Sequence, residues 1–196
     1  MAGWTTLVQA ETLAGALERS DLVIVDCRYS LADPAAVDEA SLRSHLPGAG
    51  YAHLEADLSD MAPNGDGRHP WPTADAFTAR LARWGIEPRH QVVAYDDGNG
   101  AIAARLWFLL RALGHEKAAV LDGGWGRWTA LGLPVSSSPR AVGDSRYHAQ
   151  FDAARLCDAN AVKDHLARGG LLVDARAPER FRGEEEPLDR VAGHVP

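Results

Sequence analysis

Apolar residues along the chain fall into short runs, separated by polar, Gly- and Pro-rich punctuation, and the spacing of the runs alternates between strand and helix types. Leu7 to Arg28 reads as a short extended start, an amphipathic helix from Ala10 to Arg19 and a strand ending at Asp26. Tyr51 to Leu54 is a short strand candidate, and Met61 to Pro72, rich in Gly, Pro and Asn, reads as a surface loop. Thr73 is placed to cap a helix through Trp84, with Phe77, Leu81 and Trp84 on one face and Gly85 as its stop. Val92 to Tyr95 is a strand and Ala101 to Leu113 a helix apolar on nearly every face. Ala118 to Leu121 is a further strand, and Trp125 to Leu131 a helix ending at Gly132. A helix with only Arg105 and Arg111 as interior charges needs cover on most sides, so the pattern predicts a layered α/β domain centred on residues 91–114.

The loop inside that central unit, Asp96-Asp97-Gly98-Asn99-Gly100, is the strongest site candidate. Where a strand hands over to a helix, unpaired N–H groups converge and the helix dipole is positive, which favours a negative group. Asp96 and Asp97 can accept those N–H bonds, but the loop holds no Ser, Cys or Lys nucleophile. Gly98 to Ala103 also matches a GxGxxA dinucleotide fingerprint, with Asp122 downstream. Two carboxylates ahead of the glycines would repel a pyrophosphate, and the strand is not the first of its domain.

Composition narrows the field. With 196 residues, 46% hydrophobic and 24% charged, the chain supports one full domain and a remainder. A formal charge of -7, without a basic stripe, argues against nucleic acid. The longest strongly hydrophobic run, Leu106 to Leu110, is too short to span a bilayer, and the N-terminus carries no signal-peptide pattern. The two cysteines, Cys27 and Cys157, give neither a disulfide framework nor a CxxC pair, so the expectation is a reducing, cytoplasmic protein with structural thiols. The eight histidines form no metal-ligating motif.

The chain repeats itself. Residues 7–28 and 155–176 align without a gap at an offset of 148, pairing Asp26 with Asp174 and Arg28 with Arg176, and His45-Leu46-Pro47 recurs as His194-Val195-Pro196. The expected division is a first domain over 1–140, a Ser- and Pro-marked linker over 141–150, and the start of a second copy over 151–196. In that reading the second copy stops before its own central loop. Asp26 and Asp174 are expected to organise loop N–H groups and arginines. Trp125 and Trp128 are expected in the core, and Glu184 to Glu186 in a solvated loop.

Several motifs carry a family resemblance: Asp174-Ala175-Arg176, Arg180-Phe181, Glu186-Pro187 and Gly193-His194-Val195-Pro196, with Asp26-Cys27-Arg28, His45-Leu46-Pro47-Gly48-Ala49 and Leu121-Asp122-Gly123-Gly124-Trp125 in the first unit. Together they resemble two-domain rhodanese-type sulfurtransferases, the thiosulfate and 3-mercaptopyruvate enzymes. The resemblance implies tandem domains, each a central parallel five-stranded sheet flanked by helices, the first inactive and the second catalytic. It implies no cofactor, a small anionic sulfur donor, and a cyanide or thiol acceptor. The persulfide would form on a cysteine in the second domain's strand-to-helix loop, where the first domain carries Asp96 or Asp97. By motif position Arg180, otherwise a solvated charge, matches the arginine that binds the donor. Leu188-Asp189-Arg190 follows the Glu-Pro pair, where mercaptopyruvate enzymes often place an earlier second arginine, so the donor is thiosulfate or 3-mercaptopyruvate. The chain alone is expected to form no persulfide; a non-catalytic binding or scaffold module is the alternative.

Overall fold

Five short strands pair into a parallel sheet, whose three middle, apolar members are hydrogen-bonded on both sides. The computed structural model describes residues 3–31, 33–61, 67–97, 99–138, 145–187 and 191–195. The strands are β1 (Leu7–Val8), β2 (Leu22–Asp26), β3 (Gly50–Tyr51), β4 (Gln91–Tyr95) and β5 (Ala118–Leu121), in the order β1-β5-β4-β2-β3. All four pairings are parallel, and the β2–β4 register runs from Leu22 opposite Gln91 to Asp26 opposite Tyr95.

Alternation along the strands divides the core in two, as a sheet covered on both faces requires. Val23, Val25, Val92 and Ala94 face one layer with Phe77, Leu81, Leu106 and Leu110. Ile24, Val93, Tyr95 and Leu121 face the other, with Leu13, Leu46 and Trp128. The first layer holds α3 (Leu54–Leu58), α4 (Ala74–Arg83) and α5 (Ala101–Ala112); the second holds α1 (Ala10–Ala14) and α6 (Gly124–Ala130). Thr73 caps α4 as expected, its Oγ1 accepting from the Ala76 N–H at 3.2 Å.

Several local readings differ. The first helix ends at Ala14 instead of Arg19: Gly15, a weak helix former, takes the cap and residues 15–18 continue as turns. Leu54, expected in a strand, opens α3, and α2 (Pro34–Arg43) is an unanticipated helix between β2 and β3. The boundary expected near 140 falls instead where Met1–Asp152 form one compact unit and Ala153–Pro196 a second. Residues 145–152, of which 145–150 were expected in a linker and 151–152 in the second copy, strap the first unit. Tyr147 is buried in its core, Phe151 stacks on Phe77 at 6.2 Å, and the Asp152 N–H donates to Ala112 O at 2.8 Å. Residues 139–144 lie outside the described residues.

The second unit contains a 3-10 turn (Ala153–Arg155), α7 (Ala159–Ala167) and α8 (Pro178–Phe181). Asp158 caps α7 by accepting from the Ala161 N–H at 2.7 Å. The strand expected to end at Asp174 is not formed. A strand exists only through a ladder, and residues 171–174 have none among the described residues, leaving Leu171 and Val173 82% and 76% exposed.

Candidate functional site

Alternation along β4 sends Tyr95 to one face of the sheet and the next side chain, Asp96, to the N-terminus of α5. Asp96 is almost fully buried, and its carboxylate fills the cradle that the loop makes. Oδ1 accepts from the Gly100 N–H at 3.0 Å, and Oδ2 accepts from the Ile102 and Ala103 N–H groups at 3.1 Å each. Asn99 Oδ1 takes the remaining Ala101 N–H at 3.1 Å. Every N–H from Gly100 to Ala103 is therefore satisfied by a side chain of the loop itself. Of the two expected aspartates, Asp96 is the occupant; Asp97 is exposed, and Gly98 lies outside the described residues. The dinucleotide reading fails on the same geometry, since a pyrophosphate would need the donors that Asp96 holds.

The cradle opens onto a cleft of about 450 Å³, floored by Leu7, Val120 and Trp107 and edged by Asp96, Asn99 and Asp122. Its far wall is fixed by close backbone approach: the Trp125 N–H donates to Asp96 O at 2.8 Å, beside Gly124.

Behind the cradle runs a buried polar network. Arg28 Nε donates to both oxygens of Asp26 at 3.0 and 2.9 Å, and its Nη2 donates to Asp26 Oδ2 and to Ser44 O, each at 2.6 Å. Tyr95 Oη donates to Asp26 Oδ2 at 2.8 Å, and the guanidinium lies 4.3 Å from the Trp125 ring. Burial works against the Arg28 charge, yet the hydrogen bond and attraction from Asp26 outweigh it and hold its pKa up. Cys27, between these residues, is fully buried; desolvation first, then Asp26, Asp96 and Asp57, push its thiol well above the ordinary range. Such a thiol is held in its protonated form and shielded from solvent.

The second unit repeats this clasp in a more exposed setting. Asp174 accepts from the Arg176 backbone N–H and guanidinium, and Arg176 Nη1 donates to Gly193 O at 2.6 Å, the carbonyl just before His194, as Ser44 O stands just before His45. The two aspartates thus do the organising work expected of them. His45 and His194 are both tied to main-chain oxygens, of Ser41 and Phe181, through Nδ1 at 2.8 and 2.6 Å. Among the described residues no group of three His, Cys, Asp or Glu side chains is placed to hold a metal ion. None of the helices there is long and apolar enough to cross a membrane.

Residues 9–131 match the Rhodanese-like domain family. The chain belongs to that family. A relative in Pseudomonas aeruginosa, named "Probable 3-mercaptopyruvate sulfurtransferase", is 44% identical over 193 residues, covering 97% of this chain and 68% of its own length. The "Thiosulfate/3-mercaptopyruvate sulfurtransferase 1, mitochondrial" of Arabidopsis thaliana is 36% identical over 218 residues, covering 97% of this chain and 56% of its own. The crystal structure of SseA from Escherichia coli, a 3-mercaptopyruvate sulfotransferase of "Rhodanese" fold, superposes with a TM-score of 0.84 at 28% identity, over 98% of this chain and 73% of the other.

In this rhodanese-like chain Arg180 belongs to the second unit, on α8, and its Nη2 donates to both oxygens of Glu186 at 2.8 Å. The expectation of a solvated Glu184–Glu186 run is corrected at its last member. Glu184 and Glu185 are exposed, but the Glu186 side chain retains only 8% exposure, folded onto Arg180. Sequence reasoning placed Glu186 in a motif and missed its partner, because a spacing of six residues across the turn after α8 does not by itself bring two side chains together.

Proposed function

We propose that the chain is the donor-binding and scaffold portion of a sulfurtransferase that moves a sulfane sulfur from thiosulfate or 3-mercaptopyruvate to cyanide or a thiol. Its 1–152 unit is a non-catalytic rhodanese-like domain, and its second unit carries motifs of a further copy. The observation that carries this reading is Asp96: the strand-to-helix cradle that would stabilise a thiolate is filled by an aspartate of the protein itself. The repeated Asp-x-Arg clasp supports the tandem arrangement. Arg180 is the donor ligand, its planar guanidinium suited to a carboxylate or thiosulfate. Neither cysteine of the chain is assigned the persulfide, Cys27 because it is sealed in the core and Cys157 because it lies outside the cradle.

Mass spectrometry after incubation with thiosulfate or 3-mercaptopyruvate tests this. The expected result is no added sulfur on either cysteine of the chain. A persulfide on Cys27 or Cys157 overturns the assignment of the nucleophile. The second reading, a purely non-catalytic rhodanese module, is favoured by the same filled cradle and predicts that neither donor binds at Arg180.

A further inference from the structure

We propose that Glu186 sets donor selectivity at Arg180, weakening dianionic donors more than monoanionic ones. The inference rests on Arg180 being the donor ligand. Both Glu186 oxygens lie 2.8 Å from Arg180 Nη2, and the side chains keep only 23% and 8% exposure, so this carboxylate is a fixed charge beside the guanidinium, less screened than a surface pair. The neighbouring arginines are also met by acids: Arg176 by Asp174, and Arg182 by Glu184 at 2.7 Å with Glu179 at 3.8 Å. A donor approaching Arg180 therefore meets a cation whose field is already reduced by a carboxylate at contact distance.

The size of the effect follows from charge alone. A fixed carboxylate lowers the potential at the donor position by a set amount, and the energy it costs scales with the donor's charge. Thiosulfate carries two negative charges and 3-mercaptopyruvate, through its carboxylate, one. Removing a unit charge a few ångströms away changes monoanion binding roughly fivefold even with water-like screening, and dianion binding by the square of that, roughly 25-fold. Glu186 thus favours 3-mercaptopyruvate over thiosulfate by roughly fivefold relative to a site with a neutral residue there.

The test measures dissociation constants of thiosulfate and of 3-mercaptopyruvate by calorimetry at low ionic strength, on the full chain and on Glu186→Gln, Glu186→Ala, Glu186→Asp and Arg180→Ala, each checked for retained helix signal. Glu186→Gln and Glu186→Ala are expected to tighten thiosulfate roughly fivefold more than 3-mercaptopyruvate, while Glu186→Asp, which keeps the charge, leaves the ratio in place. A ratio unchanged in both neutral variants, with both donors lost in Arg180→Ala, overturns the selectivity role and leaves the donor site standing. Donor binding unaffected by Arg180→Ala, or absent from the unaltered chain, overturns the donor site and the selectivity with it.

Discussion

The carbonyl oxygen of Asp96 lies 2.2 Å from where a β-carbon on Gly124 would sit, and Gly124 holds a φ of +52°. Two costs coincide there, steric overlap with main chain and a left-handed conformation. Gly124→Ala is expected to destabilise the protein by about 3 kcal/mol or more. Gly126, in the same helix with open space around it, serves as the control: Gly126→Ala is expected to stabilise by about 0.5–1 kcal/mol. Urea denaturation midpoints of the two variants check both signs.

Asp96 accepts three backbone N–H bonds in a largely buried setting, so Asp96→Ala leaves those donors without their acceptor. The expected loss is about 2–3 kcal/mol, with Asp96→Asn intermediate because one acceptor oxygen remains. Asp97→Ala, at an exposed position, is expected to stay within about 0.5 kcal/mol. Equal effects at the two positions, measured by thermal and urea unfolding, would contradict the placement of Asp96 in the cradle.

The two Asp-x-Arg clasps differ in burial, with side-chain exposures of 5% and 2% for Arg28 and Asp26 against 28% and 23% for Arg176 and Asp174. Asp26→Asn strands a buried guanidinium and is expected to cost about 3 kcal/mol or more. Asp174→Asn is expected to shift the unfolding midpoint far less, because water solvates the arginine left behind. Side-by-side denaturation curves distinguish them.

The strap over the first unit is sensitive to pH at both ends. His115 Nε2 faces the His90 carbonyl at 3.0 Å and so carries the proton, which leaves Nδ1 to accept from Tyr147 Oη at 2.9 Å. Burial lowers the His115 pKa below its ordinary 6.5 and pushes Tyr147 up to about 12. A depressed group contributes stability above its ordinary value and loses it as pH falls through the depressed one. A raised group contributes fully below its ordinary value of 10 and loses that contribution as pH rises toward about 12. The protection of amides in residues 145–152, taken relative to their intrinsic exchange rate at each pH, is therefore expected to fall below pH 6.5 and again above pH 10. A flat profile across both windows would contradict the contact.

Cys157 is exposed and Cys27 is sealed. Titration with a chromogenic disulfide reagent is expected to give one fast thiol in the native protein and a second only on unfolding. Cys27→Ala removes the slow one at a cost of about 1 kcal/mol.

The sheet was legible because its middle strands are buried on both faces and therefore apolar at successive positions; β2, β4 and β5 could be read directly. α3 could not. Its cap is a histidine, His53, whose Nδ1 accepts from the Glu55 and Ala56 N–H groups at 3.2 Å each, and five residues leave no periodicity to detect. α2 was hidden for a different reason, being mainly small and polar, PAAVDEASLR, with no apolar stripe. Residues 171–174 misled in the opposite direction: their apolar run has strand character, but pairing depends on neighbours that local sequence does not encode. That Asp96 or Asp97 would accept the loop N–H groups followed from the physics of a helix start, though not which of the two, whereas the folding of Glu186 onto Arg180 depends on two long side chains meeting across a turn, which spacing alone leaves open.

β1 lies at the sheet edge beside β5, with Leu7 opposite Val120 and Val8 opposite Leu121, while β2 meets β4 in the middle. During synthesis on the ribosome, the first strand to emerge therefore waits for the last strand of its sheet. The nascent protein can assemble β2 against β4 first and must keep Leu7 and Val8 from other partners until residue 121 is available. Final closure of the sheet is in this way coupled to near-completion of the first unit.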